Sequence, residues 1–527
     1  MSKMKELEAL FTLGKITRRE FITRVSALGL MAAVSPALLS TPAHAAAPKK
    51  GGRFIIGSGG SSTTDSMDPA TLEDIFPQTL NTSIRNRLIE IDYKSNPTPE
   101  LAESWESSPD AAKWTFKLRK GVEFHNGKTM DAQDVIESIN HHRGKDSKSA
   151  AKGIVDPVKE IKADGKNTVV FILESGNADF PFVISDYHLT IQPAGTKDLE
   201  KGMGTGAYQL VSHEPGVRAL VKRNPNYFKK GRGHFDEVEM IAINDVNART
   251  NALKTGQVHA INRCERKTVH LLEKMPGIKI IRSDGTKHYT VPMLTTIKPY
   301  DNNDARLALK YAVDREQMVK TVLRGYGTVG NDHPIGKNQR YHASELPQRK
   351  FDPDKAKFHL KKAGLEGHTF KLHTSDAAFG GAVDAAVLYK ESAAKAGIKI
   401  DVIKEPKDGY WKNVWIKKGW VFCFWSGRVT EDWMFSTAYA ADAGWNDTFW
   451  KHEKFNKLLK AGRAELDNKK RREIYVEMQR IVRDEGATVV PMFAADLTGV
   501  STKIKYENVA ADWELDGMRA PERWWFA

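Results

Sequence analysis

The sequence predicts a mixed α/β protein built of several lobes. Its 527 residues are several times the usual length of one domain. Segments with the apolar pattern of strands and segments with that of helices follow one another irregularly, without the fixed repeat of a solenoid or propeller. Hydrophobic residues make up 40% and charged residues 28%. This composition is that of an ordinary globular chain, and it excludes a disordered polymer and a multi-span membrane protein.

Residues 1–45 have the pattern of a cleaved twin-arginine export signal. Arg18 and Arg19 precede an apolar run over 25–39, and the segment 43–45 is the Ala-His-Ala that a signal peptidase needs. The run is shorter than the roughly 20 residues of a membrane span and is interrupted by a serine and a proline. We therefore expect an exported, periplasmic protein.

Charge and cysteine content narrow the function further. Lys and Arg number 80 against 66 Asp and Glu, a net charge of +14. The basic residues are spread along the chain, which favours a solvated surface over a nucleic-acid-binding stripe. Cys264 and Cys423 are too few for a disulfide framework or a cysteine-built zinc site. We expect no nucleic-acid partner and no cofactor, and the sequence leaves open whether the two cysteines pair.

Strands and helices can be placed from their patterns. Alternating or continuous apolar runs predict strands over 53–57, 114–119, 167–174, 290–296, 398–403 and 487–493. Apolar residues at helical spacing predict helices over 131–143, 304–323, 352–363, 383–396 and 467–485, several of which begin with aspartate as N-cap. Residues 57–65 are rich in Gly, Ser and Thr and are predicted as a loop.

Several segments, taken in order, resemble the solute-binding proteins of peptide/nickel-type ABC transporters, the bacterial extracellular solute-binding family 5. The segments carrying the resemblance are Leu-Ala-Glu-Ser-Trp (101–105), Leu-Arg-Lys-Gly-Val-Glu-Phe-His-Asn-Gly (118–127), Gly-Thr-Gly-Ala-Tyr (204–208), Arg-Asn-Pro-Asn-Tyr (223–227), 304–325, 351–357 and 470–491. They cover essentially all of residues 50–527.

The resemblance implies a fold like that of type II periplasmic binding proteins, in which two α/β lobes joined by a hinge close around a solute. On this basis we expect lobe I to comprise 46–92, 205–298 and 500–527, an extra domain 93–204, and lobe II 299–499. It also implies a monomeric subunit that delivers its solute to an inner-membrane ABC permease.

The residues give no support for catalysis. No nucleophile–base pair, paired-carboxylate site or cluster of metal-ligating residues stands out, so we predict a binding protein and not an enzyme. A secreted hydrolase is the alternative of another class. Among binding proteins, the alternatives to a peptide-like solute are an opine-like or sugar-acid compound and a metal chelate.

Aromatic and charged residues crowd one loop that suits the wall of a ligand cleft. The candidates there are Tyr410, Trp411, Trp425, Arg428, Glu431, Asp432 and Trp433. Such rings can sandwich a solute while one charge fixes its orientation, although burial in a protein core explains tryptophans equally well.

Arg428 is the most informative of these residues. In peptide-binding members of the family this position, three after the loop tryptophan, is an aspartate that pairs with the α-ammonium of the ligand. A guanidinium would instead hold a carboxylate or phosphate. The alternative is an internal salt bridge from Arg428 to Glu431 or Asp432.

Four further candidates come from the resemblance. An ungapped match places Asp376 where dipeptide-binding members carry a basic residue for the peptide carboxylate. The charges of Arg428 and Asp376 are therefore both opposite to those at the matching positions of peptide-binding members. Asp376 or Glu431 would then take an amine. Thr295 and Met293, on the strand expected near the hinge, and Ser62, in the Ser/Thr loop 61–64, are additional candidate contacts.

Overall fold

The computed structural model describes residues 48–72, 74–406 and 410–527. The export signal predicted for 1–45 lies outside the described residues. Helices and strands alternate through the chain, and the strands fall into several separate sheets. The prediction of a mixed α/β fold is therefore confirmed.

The strands are numbered in chain order. They are β1 (Arg53–Ser58), β2 (Ile89–Ile91), β3 (Pro97–Pro99), β4 (Ala102–Ser107), β5 (Lys113–Leu118), β6 (Val158–Ala163), β7 (Thr168–Leu173), β8 (Tyr208–Glu214), β9 (Arg218–Arg223), β10 (Glu237–Ala242), β11 (Ala260–Ile261), β12 (Ile278–Ser283), β13 (His288–Pro292), β14 (Gly327–Val329), β15 (Thr369–Thr374), β16 (Lys399–Lys404), β17 (Cys423–Trp425), β18 (Thr488–Ala494), β19 (Asp496–Ser501), β20 (Ile504–Lys505) and β21 (Trp525–Phe526).

The longer helices are numbered in the same way. They are α1 (Ile75–Ile84), α2 (Ala132–Asn140), α3 (Val246–Lys254), α4 (Asn303–Ala312), α5 (Arg315–Thr321), α6 (Pro353–Lys362), α7 (Ala382–Ala394), α8 (Glu431–Ala438), α9 (Glu453–Ala464) and α10 (Asn468–Glu485). Single turns of helix occur at Lys152–Val155, Phe180–Val183, Val269–Leu272, Tyr410–Asn413, Glu514–Gly517 and Ala520–Arg523.

The first sheet has seven strands in the order β12-β19-β11-β1-β10-β9-β8. Strand β1 lies at its centre and runs parallel to β10 and β11. Phe54 and Ile56 project from the same face of β1 and are fully buried. Strand β19 pairs with both β11 and β12, so residues near 500 complete a sheet that begins at residue 53.

The second sheet is antiparallel, with strands in the order β4-β5-β7-β6 and helix α2 packed on it. Helix α2 begins at Asp131, whose side chain accepts hydrogen bonds from the amides of Gln133 and Asp134 in a capping box. Val135 and Ile139 are buried against the sheet, as the helical spacing predicts.

The third sheet has the order β14-β18-β13-β17, and the two-stranded parallel sheet β15-β16 lies beside it. Every residue of β18 is buried. Helices α4, α5 and α7 share the core of this region, where Trp420 packs against Tyr389 at 5.2 Å between ring centres. Cys423 in β17 and Cys264 in the first sheet's region are buried free thiols.

One predicted helix is wrong: the segment 304–323 forms two helices. The backbone of Val313 is extended, which ends α4. Asp314 then caps α5, because its side chain accepts a hydrogen bond from the amide of Gln317. The apolar stripe continues through this break, and for that reason the pattern concealed it.

The chain passes between the first and third sheets at two places. It leaves β12 for β13 through residues 284–287, and it returns from β18 to β19 through residue 495. The sequence-based boundaries lie at 298/299 and 499/500, so they assign β13 and most of β19 differently from the observed strand pairing. A salt bridge between Lys287 and Asp496 links the two passing segments.

A buried cluster of charges connects distant parts of the chain beside the first sheet. Arg519 donates a hydrogen bond to Glu100 at 2.9 Å and another to Glu522 at 2.7 Å. Lys229 contacts Glu90, Glu100 and Glu522. All five side chains are largely shielded from solvent, so each charge depends on its partners.

Candidate ligand-binding cavity

A cavity of about 1290 Å³ opens between the regions of the three sheets. Its walls are formed by the start of α1, the segment 173–188 after β7, the loop 377–380 before α7, the loop and helix at 424–437, and the segment 512–514. This volume is sufficient for a small organic solute.

The loop between β17 and α8 carries one of the basic residues of the cavity, Arg428. Gly427 has a φ of +81°, and a Cβ at this position would lie 2.1 Å from Oγ1 of Thr286, so the turn requires glycine. Thr430 then caps α8 by accepting a hydrogen bond from the amide of Trp433 at 3.3 Å. Arg428 is thus held between a tight turn and a capped helix start.

The guanidinium of Arg428 lines the cavity without an acidic partner. Its Nη1 donates to the carbonyl of Gly427 at 2.7 Å, and the group lies 5.7 Å from the centre of the Trp433 ring. Burial lowers the pKa of Arg428, and the nearby carboxylate of Asp186 opposes that shift. Across the described part of the chain, no carboxylate forms a salt bridge with it.

The alternative of an internal salt bridge to the two acids of the same loop is therefore wrong. The carboxylate of Glu431 accepts a hydrogen bond from the amide of Tyr341 at 2.7 Å, and burial raises its pKa to about 7. Asp432 pairs with Arg463 at 3.2 Å, and burial raises its pKa to about 6. Asp432 lines the cavity and Glu431 does not.

The aromatic candidates separate into cavity and core. Trp433 lines the cavity, whereas Trp425 is buried between Trp415 and Trp445 at 6.2 and 6.1 Å between ring centres. Tyr410 is buried and donates its hydroxyl to the carbonyl of Phe422 at 2.7 Å. Trp411 is 40% exposed and lies outside the cavity lining. Trp425 and Tyr410 are therefore core residues, which is the alternative to a position in the cleft wall.

The remaining candidates lie outside the cavity lining, and the polar ones make hydrogen bonds within the chain. Asp376 accepts a hydrogen bond from the amide of Gly381 at 3.2 Å, although its neighbour Ala377 does line the cavity. Thr295 donates its hydroxyl to the carbonyl of Thr448 at 3.0 Å. Ser62 is exposed and shares a 2.8 Å hydrogen bond with Thr64, and Met293 is fully buried.

Comparison with known proteins identifies the family. The sequence profile of the bacterial extracellular solute-binding proteins, family 5 Middle, matches residues 96–447, more than half of the chain. The chain belongs to this family. A dipeptide-binding protein of Escherichia coli K12 is 27% identical over 474 residues, covering 80% of this chain and 85% of that protein. A glutathione-binding protein, GsiB, of Pectobacterium atrosepticum is 26% identical over 468 residues, covering 85% of this chain and 89% of that protein.

The fold of this family 5 protein also matches solved structures. The periplasmic binding protein DppA of Helicobacter pylori, solved in complex with the peptide STSA, superposes with a TM-score of 0.73 at 23% identity, covering 91% of this chain and 98% of that one. The fold is thus that of type II periplasmic binding proteins, as the resemblance implies. No helix within the described ranges is both long and apolar enough to cross a bilayer.

This family 5 protein is the substrate-binding subunit of an ABC importer. Members of the family work outside the inner membrane, in the periplasm or extracellularly. The prediction of a solute-binding subunit is confirmed.

Charge pairing around the cavity reveals a residue that the sequence did not single out. Of the charged side chains among the described lining residues, Glu174, Arg428 and Asp512 form no salt bridge. Glu174 is exposed to solvent, whereas Oδ1 of Asp512 is buried and accepts no hydrogen bond. The acidic and aromatic run at 512–514 is the only local signal that could have directed attention to it.

Proposed function

We propose that this substrate-binding subunit captures a peptide-like or other anionic small solute whose carboxylate or related oxyanion pairs with Arg428. The observation that carries the proposal is an unpaired guanidinium on the wall of the cavity. A guanidinium stays protonated in proteins, so this charge is present at every physiological pH. A solute oxyanion would supply the counter-charge that the chain does not.

The surroundings of Arg428 favour recognition of an oxyanion over recognition of a cation. The guanidinium leaves nitrogens free for a bidentate contact, and the Trp433 ring supports it from one side. An ammonium at the same place would be repelled. The names of the dipeptide-binding and glutathione-binding relatives support a peptide-like solute, bound here with the polarity that Arg428 dictates.

Two crossing segments suggest how the cavity closes. In this proposal the region of the first sheet is lobe I, the region of the second sheet is the extra domain, and the region of the third sheet is lobe II. Segments 284–287 and 495 are then the hinge, and the predicted boundaries move to these positions. Rotation about two short segments changes the distance between the walls without disturbing either core.

The proposal also covers the export of the protein, its location and the release of its solute. Residues 1–45 direct export and are cleaved, and the mature protein acts as a monomer in the periplasm. It releases its solute chemically unaltered to the permease, and membership of a family of solute-binding proteins supports this part of the proposal. Incubation with mixed peptides should leave their masses unchanged, and the appearance of cleavage products would instead indicate a hydrolase.

The decisive variant is Arg428→Ala. Calorimetric titration with the solute recovered from the purified protein by native mass spectrometry should show an affinity loss of about 30-fold or more, because a buried charge–charge contact is removed. Arg428→Lys should lose less, since the charge remains but the bidentate geometry does not.

Arg218→Ala serves as the matched control. Arg218 is an exposed arginine on β9 whose only salt bridge in the described chain is a 3.7 Å surface contact with Glu214. This variant should bind as the wild type does. Equal affinities of Arg428→Ala and Arg218→Ala would remove Arg428 from the site.

A further inference from the structure

Asp512 is a cavity-lining carboxylate that is not paired with a basic side chain of the described chain. Its Oδ1 is buried without a hydrogen-bond partner, and it forms no salt bridge with any described residue. The two arginines whose charges act on it most are already engaged. Arg87 donates to the carbonyl of Ser185 at 2.6 Å, and Arg523 pairs with Glu90 and Asp516.

The backbone around Asp512 is fixed by its own contacts. The side chain of Asp516 accepts hydrogen bonds from the amide of Ala510 at 2.7 Å and from Nε1 of Trp524 at 3.0 Å. Gly517 lies so close that a Cβ there would be 2.8 Å from Oδ1 of Asp512. The carboxylate is therefore held in place before any ligand arrives, which reduces the entropy lost on binding.

Aromatic residues connect the position of Asp512 with that of Arg428. Trp513 packs edge-on against Tyr187 at 5.2 Å between ring centres, and both rings line the cavity. Tyr187 in turn lies within the electrostatic influence of Arg428. The cavity thus has a basic group and an acidic group that are not paired with each other, with aromatic surface between them.

We propose that Asp512 binds the ammonium group of the solute, so that the cavity selects a zwitterion with its oxyanion at Arg428 and its amine at Asp512. The inference rests on the proposed function of Arg428 and adds the second anchor. It replaces Asp376 and Glu431 as the predicted amine partners, because neither of them lines the cavity. An ammonium brings three donors and a positive charge, which match a half-buried carboxylate that has no salt bridge and whose Oδ1 has no hydrogen-bond donor.

Glu174 is the competing acid on the same cavity, and it fits an amine less well. It is exposed at the end of β7, so water already solvates its carboxylate. A charge contact made there gains little over hydration. At Asp512 the Oδ1 atom is already removed from water, and a cation would supply the favourable interaction that water no longer provides. Burial raises the pKa of Asp512 to about 6, which is the effect expected of a carboxyl group that lacks its cation.

The test uses the full mature protein and a defined mixture of short peptides, offered either unmodified or with every amine acetylated. The protein is incubated with each mixture and washed, and retained peptides are counted by mass spectrometry. We expect the wild type to retain at least about tenfold more unmodified than acetylated peptide. Asp512→Asn should lose that preference, whereas Glu174→Gln should keep it.

The outcomes separate this inference from the proposed function. Equal retention of unmodified and acetylated peptides by the wild type, or an undiminished preference in Asp512→Asn, would overturn the role of Asp512 and leave Arg428 untouched. Undiminished retention by Arg428→Ala would overturn the proposed function itself. No retention of any peptide by the wild type would overturn this inference and a peptide solute, and would leave the other anionic solutes of the proposed function. If Asp512→Asn does not fold, the acetylation comparison on the wild type still decides.

Discussion

The carboxylate of Asp179 accepts a hydrogen bond of 2.7 Å from the guanidinium of Arg471, and both side chains are almost completely buried. Asp179 follows the second sheet and Arg471 belongs to α10. The amide of Ala178 also donates to the carbonyl of Arg463 at 2.7 Å. Because Asp179 and Arg463 line the cavity, these contacts join two of its walls directly.

Removing the charge of Asp179 should favour separation of these walls. Asp179→Asn leaves Arg471 buried without its counter-charge, which typically costs about 3 kcal/mol or more. We expect a larger radius of gyration in small-angle X-ray scattering for the ligand-free variant, and an affinity for solute reduced by about tenfold or more. Asp156→Asn changes an exposed acid of the same region and should leave both quantities as in the wild type. An unchanged radius with unchanged affinity would show that the contact does not govern closure.

The charge cluster around Glu100 should contribute to stability. Burial disfavours the ionised carboxylate, but Arg519 and Lys229 overcome that effect and lower the pKa of Glu100 below its usual value. Glu100→Gln should therefore lower the free energy of unfolding at neutral pH by about 3 kcal/mol, as measured by chemical denaturation. Glu103→Gln, at an exposed position on β4, is the control and should be neutral. A loss in Glu100→Gln no larger than in the control would contradict the importance of the cluster.

The contribution of Glu431 to stability should fall as the pH rises from about 4.5 to about 7. Burial raises the pKa of Glu431 to about 7, so the native state holds a proton that the unfolded chain releases near 4.5. Glu431→Gln keeps an acceptor for the amide of Tyr341 and has no charge to bury. It should be more stable than the wild type at pH 8, by at most about 3 kcal/mol, and equally stable at pH 4.

Thermal unfolding of Glu431→Gln and of the exposed control Glu453→Gln across this pH range measures the effect. Asp447 and Asp432, whose pKa values burial raises to about 7 and about 6, act in the same direction as Glu431. The buried histidines His125, His142 and His288, whose pKa values burial lowers to about 4, act in the opposite direction. The effect of Glu431 is therefore the difference between the pH profiles of the variant and the wild type. A pH profile of Glu431→Gln parallel to that of the wild type would exclude a raised pKa at this residue.

Gly427→Ala should impair binding by displacing the loop that carries Arg428. The added methyl group would overlap Thr286, and the φ of +81° is unfavourable for alanine. We expect an affinity loss of about tenfold or more in calorimetric titration. Gly444→Ala is the control, because a Cβ at that position meets no atom within 4 Å and should leave affinity unchanged. Normal binding by Gly427→Ala would show that the loop tolerates the shift.

Local patterns were sufficient to predict helices with a clear apolar period and a capping residue, whereas most of the strands in the described chain were not predicted. The aspartates at 131, 352 and 467 cap α2, α6 and α10 because their side chains accept hydrogen bonds from amides within the first helical turn, an interaction that the sequence encodes over three or four residues. The break at Val313 was missed because its cause, the cap at Asp314, lies within an unbroken apolar stripe.

The candidate site was only partly predictable, for a related reason. Arg428 lies in the loop before α8 and Trp433 in the first turn of that helix, so their proximity is visible in the sequence. Burial of Trp425 and Tyr410 depends on partners elsewhere in the chain. Asp512 reaches the cavity only through the packing of three sheets, and no short-range pattern encodes that arrangement.

Completion of the first sheet has a consequence for biosynthesis. Strand β1 is translated early, but β19, which lies between β11 and β12 in the same sheet, ends only at Ser501. Beside this sheet, Arg519 contacts Glu100, which precedes it by 419 positions in the sequence. A growing chain on the ribosome therefore cannot close this core until almost every described residue has been made. Contacts this distant in sequence require slow loop closure, so the early strands must wait for the late ones with their apolar faces and sheet edges uncovered.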